Sequence, residues 1–174
     1  TGEQLLYSWG PYLDYGYDTL NSRYFATEGS YLQGRLSYIR GWGSDAAQQQ
    51  ASWGLVSNLE YLKPVALADR HTLSLRLAGG GSDVSELLPI YLQDLGGLFN
   101  LSGYQRYQLS GRYKLLGGLI YSYRLLDNNF GAIKSPLYVG GSIERGNIWD
   151  SSGAIELGSM LNAGSIYVGS DTFL

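Results

Sequence analysis

The chain has 174 residues, with 12 Lys+Arg against 15 Asp+Glu, a formal net charge of −3 and no cysteine. That length allows one domain, the charge gives no electrostatic case for nucleic acid, and the lack of cysteine excludes a disulfide framework and any thiolate metal or redox site. Two counts stand out, 16 Tyr and 25 Gly: amphipathic rings suit membrane interfaces and glycines suit bends and tight turns, with a soluble β-sandwich as the competing reading of the same composition.

No apolar run approaches the ~20 residues of a membrane helix, and no long window keeps a helical period. Strand-like alternation recurs instead. Leu5 to Tyr17 alternates, with Leu5, Tyr7, Trp9, Pro11, Leu13, Tyr15 and Tyr17 on one face; Pro11 cannot donate a ladder bond, so an edge or bulge is expected there. Asp18 to Gly29 reads as a turn-rich connection. Ser30 to Arg40 is the second strand, with Leu32, Leu36 and Tyr38 against Gln33, Arg35 and Ser37. A polar loop, Gly41 to Gln50, precedes a third strand, Trp53 to Leu62, which Lys63-Pro64 is expected to end. His71 to Ala78 is the fourth, with Leu73, Leu75 and Leu77 against Thr72, Ser74 and Arg76; Gly79-Gly80-Gly81 is expected to stop it.

Asp83 to Gly111 is a long connection, of a length that usually carries function; Ser85 to Leu92 is expected to form a turn or two. The fifth strand, Arg112 to Leu126, is the clearest. Tyr113, Leu115, Gly117, Leu119, Tyr121, Tyr123 and Leu125 share one face; Arg112, Lys114 and Arg124 share the other with small and aliphatic residues. Side chains alternate with period 2 in a strand, so this one is apolar-aromatic on one side and mixed-polar on the other. That suits a barrel wall between lipid and a wet lumen. On this reading Leu73, Leu75, Leu77, Tyr113, Leu115, Leu119, Tyr121 and Leu125 meet lipid, and Arg76, Arg112, Lys114 and Arg124 face the lumen. Asp127 to Pro136 is a turn cluster, Leu137 to Gly146 a sixth strand, Asn147 to Leu161 a loop with a short helix, and Ser165 to Leu174 the start of a seventh.

The residues offer little catalytic chemistry. His71 is the one histidine and reads as a surface or lumen group, so a transition-metal site is not expected. Ser82 follows a glycine run but lacks the spacing of a nucleophile elbow. Asp14 and Asp18 read as solvated charges rather than a cation site. No enzyme and no cofactor are expected. Glu144 differs, because it shares the polar face with Gly140 and Ser142. A carboxylate in a basic-lined wall pairs with a neighbouring cation or with a loop that folds inward.

The segments LGGLFNLSGY, QLSGRYKLLGGLIYSYRL, PLYVGGSIERGNIW and AGSIYVGSDTFL resemble the C-terminal surface-antigen barrel of the bacterial outer-membrane assembly factor superfamily, and DTLNSRYFATEGSYLQGRLSY resembles its segment linking two strands. The similarity is greatest to the branch fused behind a patatin-like phospholipase, the type Vd secretion proteins. It implies an all-β, antiparallel transmembrane β-barrel of 16 strands, of which residues 1–174 supply roughly the C-terminal half as one incomplete domain. It further implies a long loop before the fifth strand that folds into the lumen. There the family's Arg-Gly-aromatic tip contacts an acidic wall residue. The matching positions here are Ser102-Gly103-Tyr104 for the loop and Glu144 and Gly146 for the wall. Ser replaces the Arg, which turns a charge-assisted lock into a hydroxyl–carboxylate bond and favours the patatin-linked branch.

The expected function is a non-catalytic outer-membrane translocator and anchor, any lipolytic activity belonging to a separate N-terminal domain. Its expected partners are outer-membrane lipid and lipopolysaccharide, an N-terminal passenger and a second copy as a homodimer. An outer-membrane protein assembly or transport barrel is the alternative, and a soluble β-sandwich binding module the third reading. The opening TGEQLLYSWG has no basic start or apolar core, so a cleaved leader or an excerpt is expected.

Overall fold

The computed structural model describes residues 6–43, 52–85, 91–127 and 136–170. The protein is all-β and antiparallel. Its strands are β1 (Leu6–Trp9), β2 (Tyr12–Asp18), β3 (Tyr31–Gly43), β4 (Ser52–Ala68), β5 (His71–Val84), β6 (Gln93–Leu95), β7 (Leu109–Gly111), β8 (Tyr113–Leu126), β9 (Leu137–Trp149) and β10 (Leu161–Ser170). One large sheet runs β1-β3-β4-β5-β8-β9-β10, with β2 also on β3; β6 and β7 form a separate small hairpin. Among the described residues no pairing joins β10 back to β1 or β2, so the sheet is open.

β1 and β2 act as one strand. Trp9 pairs with Arg40 and Tyr12 with Ser37, in one continuous register. The break between them falls at Gly10-Pro11. Pro11 O accepts from Tyr38 N at 3.0 Å, but proline has no N–H to return. Gly10 lies so close to Tyr38 O that a Cβ would collide with it. The strand is on the sheet edge, where a proline costs least.

The strands outrun the sequence expectation in several places. β4 continues through Lys63 and Pro64 to Ala68. β3 ends its pairing at Tyr31–Leu62, so beyond Leu62 only β5 needs β4's backbone and a proline forfeits little. Lys63 Nζ donates to Gly29 O there at 2.9 Å. β5 continues through Gly79–Gly81 to Val84, paired on both sides with β4 and β8. A Cβ at Gly80 would press on Asn58 Oδ1 and on the Gln93 side chain of the folded loop, so the glycine marks a crossing rather than a stop. β9 runs on to Trp149, and β10 starts at Leu161. The 150–160 connection carries two short 3-10 turns, Ser152–Ala154 and Leu157–Ser159. Most of the 41–50 loop, most of the turn expected at 85–92, most of the 127–136 cluster and residues 171–174 lie outside the described residues.

The two faces of the sheet differ. One is covered by the 93–111 segment and carries Ala78, Ser82, Leu116, Ile120, Ser142 and Glu144, all buried. The other is bare except where the 150–160 connection lies over Asn147 and Trp149, and it carries Leu13, Leu36, Leu55, Leu59, Leu77, Leu119, Ile143, Ile166 and Val168, all exposed. The sheet is also curled. Phe25, in the loop between β2 and β3 at one edge, stacks on Tyr138 of β9 at 4.0 Å and lies 6.4 Å from Tyr167 of β10, the opposite edge.

Candidate functional site

The covered face is organised around Glu144, which is only 4% exposed. Its place in β9 puts it opposite Gly118 of β8 and Ala163 of β10. The missing side chain at Gly118 leaves room for it: a Cβ there would lie 3.4 Å from Glu144 Cγ. Four donors converge on the carboxylate. Leu101 N and Ser102 N donate to Oε2 at 2.6 and 2.7 Å, and Ser102 Oγ and Ser142 Oγ donate to Oε1, each at 2.5 Å.

The loop is shaped to deliver those amides. Gly96 and Gly97 have φ of 131° and 102°, and Phe99, Leu101 and Tyr107 are also left-handed, at 61°, 72° and 64°. A left-handed non-glycine costs roughly 1–2 kcal/mol. At Leu101 it helps turn two successive N–H groups toward one oxygen, making an anion-binding concavity. Gly97 N to Tyr104 O at 2.9 Å, Tyr104 N to Leu101 O at 3.0 Å and Phe99 N to Ser102 Oγ at 2.9 Å hold the tip. The base of the loop is the β6–β7 hairpin, which pairs Gln93 with Gly111.

Apolar packing seats the tip. Leu95 and Leu101 are wholly buried with Ala78 and Leu116, and Tyr104, Leu109, Ile148, Leu161 and Ala163 pack around them. Gly146 contributes space rather than a contact to the loop: a Cβ would meet Leu115 O and Leu116 Cδ1, each at 2.9 Å. Gly103 is exposed, close to Ala163.

The other expected site residues fall into two sets. Leu75, Leu77, Leu115, Leu119, Tyr121 and Leu125 lie on the bare face and are exposed; Leu73 and Tyr113 share it, half-buried. Arg76 and Lys114 line a polar cavity of about 300 Å³ on the covered face, with Glu60, Asp94 and Arg106. Arg112 Nη1 donates to Val84 O at 2.9 Å. Arg124 pairs with Asp127 at 2.9 Å beside the Asp69–Arg70 turn. None of these four cations meets Glu144, which the loop satisfies instead.

Asp14 and Asp18 are not brought together: Asp14 pairs with Arg35, and Asp18 Oδ1 accepts Leu20 N at 2.9 Å. His71 Nδ1 lies 2.6 Å from Tyr121 Oη on the bare face. Ser82 is fully buried, with its N–H on Arg112 O. No group of three or more metal-ligating side chains occurs among the described residues. Sequence reasoning missed the two backbone donors, which have no signature in residue identity. It also missed Ser142 as a donor, which was legible as the same-face neighbour two positions before Glu144.

No helix among the described residues is long and apolar enough to cross a membrane, which says nothing about strands. No family model matches the chain. No curated protein matches it either.

Proposed function

We propose that this chain is part of the wall of a bacterial outer-membrane β-barrel, with the 93–111 loop folded into the lumen, and that it anchors and helps export a passenger N-terminal to it. The observation that carries the reading is the inversion of the faces. Large apolar side chains from every strand position of the sheet are exposed on one side, while the buried polar residues lie on the other. Monomeric soluble proteins rarely expose contiguous apolar patches beyond a few hundred Å², whereas a barrel wall in lipid puts its apolar face outward and its polar face toward the lumen.

The aromatic residues of the bare face support the same reading. Trp9 and Trp53 both pair with Arg40 towards one end of the strands, and His71 pairs with Tyr123 at the other. Leu36, Leu55, Leu59, Leu77, Leu119 and Ile143 are exposed in the band between, with Tyr15 and Tyr38 among them. Girdles of this kind flank the lipid-exposed band of outer-membrane barrels. A β-sandwich would instead bury its apolar face against a second sheet, and among the described residues no sheet packs on the apolar face, which only the 150–160 connection touches.

The number of strands in the whole barrel, 16 in the resembled family, and the identity of the passenger, a patatin-like phospholipase, rest on the sequence resemblance. Ser102 at the position of the family's arginine favours that branch over a general assembly or transport barrel. Nothing in the site calls for catalysis, and the chain acts as a scaffold whose loop closes the lumen.

The test is extraction and heat-modifiability. The protein is expected to need detergent and to migrate faster on a gel unheated than boiled. A protein that is soluble, monomeric and cooperatively folded without detergent would replace this reading with the sandwich.

A further inference from the structure

The bare face holds an apolar groove of about 720 Å³, walled by Leu77, Leu115, Leu119 and Ile143. Its floor is Gly117, which the two ladders set opposite Leu77 on one side and Arg145 on the other. A Cβ on Gly117 would rest 3.6 Å from Leu77 Cδ2, an ordinary contact. The dent therefore comes from a missing side chain, not from a backbone that needs glycine.

A charge stands at one end of this groove. Arg145 is exposed on the bare face and has no carboxylate within ion-pair distance among the described residues. One of its five N–H donors goes to Leu157 O, at 3.3 Å. The 150–160 connection folds back over this face: Asn147 Nδ2 donates to Ser159 O at 2.9 Å, and Trp149 Nε1 to Ser159 Oγ at 3.1 Å. That fold brings Met160 to the groove and leaves Ile155 and Leu157 exposed.

We propose that this groove binds one anionic phospholipid, an acyl chain lying over Gly117 and the phosphate on Arg145. The inference rests on the membrane reading of the bare face. Two chemistries meet here, an apolar trough and a guanidinium with free donors that suits a phosphate oxyanion. An extended peptide is a poor fit, because β8 and β9 are paired on both sides and offer no free edge to a further strand.

The experiment is native mass spectrometry of the protein in detergent micelles, titrated with phosphatidylglycerol and, separately, phosphatidylcholine. Each variant is first checked for its heat-modifiable gel shift. The wild type is expected to hold one phosphatidylglycerol in preference to phosphatidylcholine. Arg145→Gln is expected to lower phosphatidylglycerol retention about tenfold, to the phosphatidylcholine level; Gly117→Phe, which fills the trough, is expected to lower both. Should Gly117→Phe lose the gel shift, Arg145→Gln decides alone. Equal retention of the two lipids by the wild type, or undiminished phosphatidylglycerol retention by Arg145→Gln, overturns the site while leaving the barrel reading standing. A wild type that shows no gel shift and no lipid uptake overturns both.

Discussion

Removing the Glu144 carboxylate should release the loop. In Glu144→Ala the amides of Leu101 and Ser102 lose the acceptor they share at 2.6 and 2.7 Å. A buried donor left unsatisfied costs about 1–3 kcal/mol, so the pair costs about 2–6 kcal/mol in the docked state. The two serine hydroxyls add little, since Ser142 Oγ already lies 2.7 Å from Ser165 Oγ and can turn to it. Undocking also relieves the left-handed Leu101, worth a further ~1–2 kcal/mol. Against this stands the burial of Leu95 and Leu101, about 1.5–3 kcal/mol each. The two sides nearly balance, so the loop is expected to open locally rather than unfold the sheet. In Glu144→Gln an acceptor remains for the amides, and the serine hydroxyls can rotate to accept from the new amide. That variant loses only the excess strength of bonds to a charge, about 1–2 kcal/mol. The assay is hydrogen exchange at the Leu101 and Ser102 amides, with tryptic cleavage after the exposed Arg106 as a second readout. Protection should fall about tenfold in Glu144→Gln and by several orders of magnitude in Glu144→Ala. Unchanged protection of both amides in Glu144→Ala would refute the reasoning and leave apolar packing as the sole anchor.

Other perturbations probe other parts of the structure. Leu75→Arg on the bare face should destabilise the protein by about 2–4 kcal/mol if it lies near the bilayer midplane, measured by urea unfolding in lipid; an unchanged midpoint would contradict the assignment of faces. Gly146→Leu should force Leu116 out of its place, since even a Cβ meets Leu116 Cδ1 at 2.9 Å; overpacking of this kind costs about 1–3 kcal/mol, visible as a lowered thermal midpoint. Phe25→Ala should cost at least the ~0.5–1.5 kcal/mol of an aromatic pair by removing the stack on Tyr138, and should raise exchange in residues 19–30 without altering the Leu101 amide.

The sequence was legible where the two faces of one strand meet different surroundings. In β8 the alternation of Tyr113, Leu115, Leu119 and Tyr121 with Lys114, Ser122 and Arg124 survives because each face meets its own environment, so period 2 reads directly. The polar face likewise singled out Glu144, a carboxylate among small residues. What could not be read depends on partners far away in the chain. Whether Pro64 ends β4 depends on where β3 begins, and whether Gly80 ends β5 depends on the Gln93 side chain of the loop crossing it. The donors to Glu144 are main-chain groups, and the left-handed turns at Phe99 and Leu101 occupy residue types that seldom adopt them. The reach of Phe25 across the curl is a property of the whole sheet and not of the loop that carries it.

The sheet also has a parity. β1 and β2 form one strand, and from there each neighbour reverses direction until β10. Counting that composite strand once, the two edge strands point the same way, and Leu6 and Ser170 stand at opposite rims. Drawn directly together, the edges would make a parallel seam, with slanted and slightly weaker bonds. A seam that is antiparallel throughout requires an odd number of strands between β10 and β1. A cysteine pair placed for an antiparallel β2–β10 contact should therefore stay reduced under oxidising conditions that cross-link a matched β9–β10 pair.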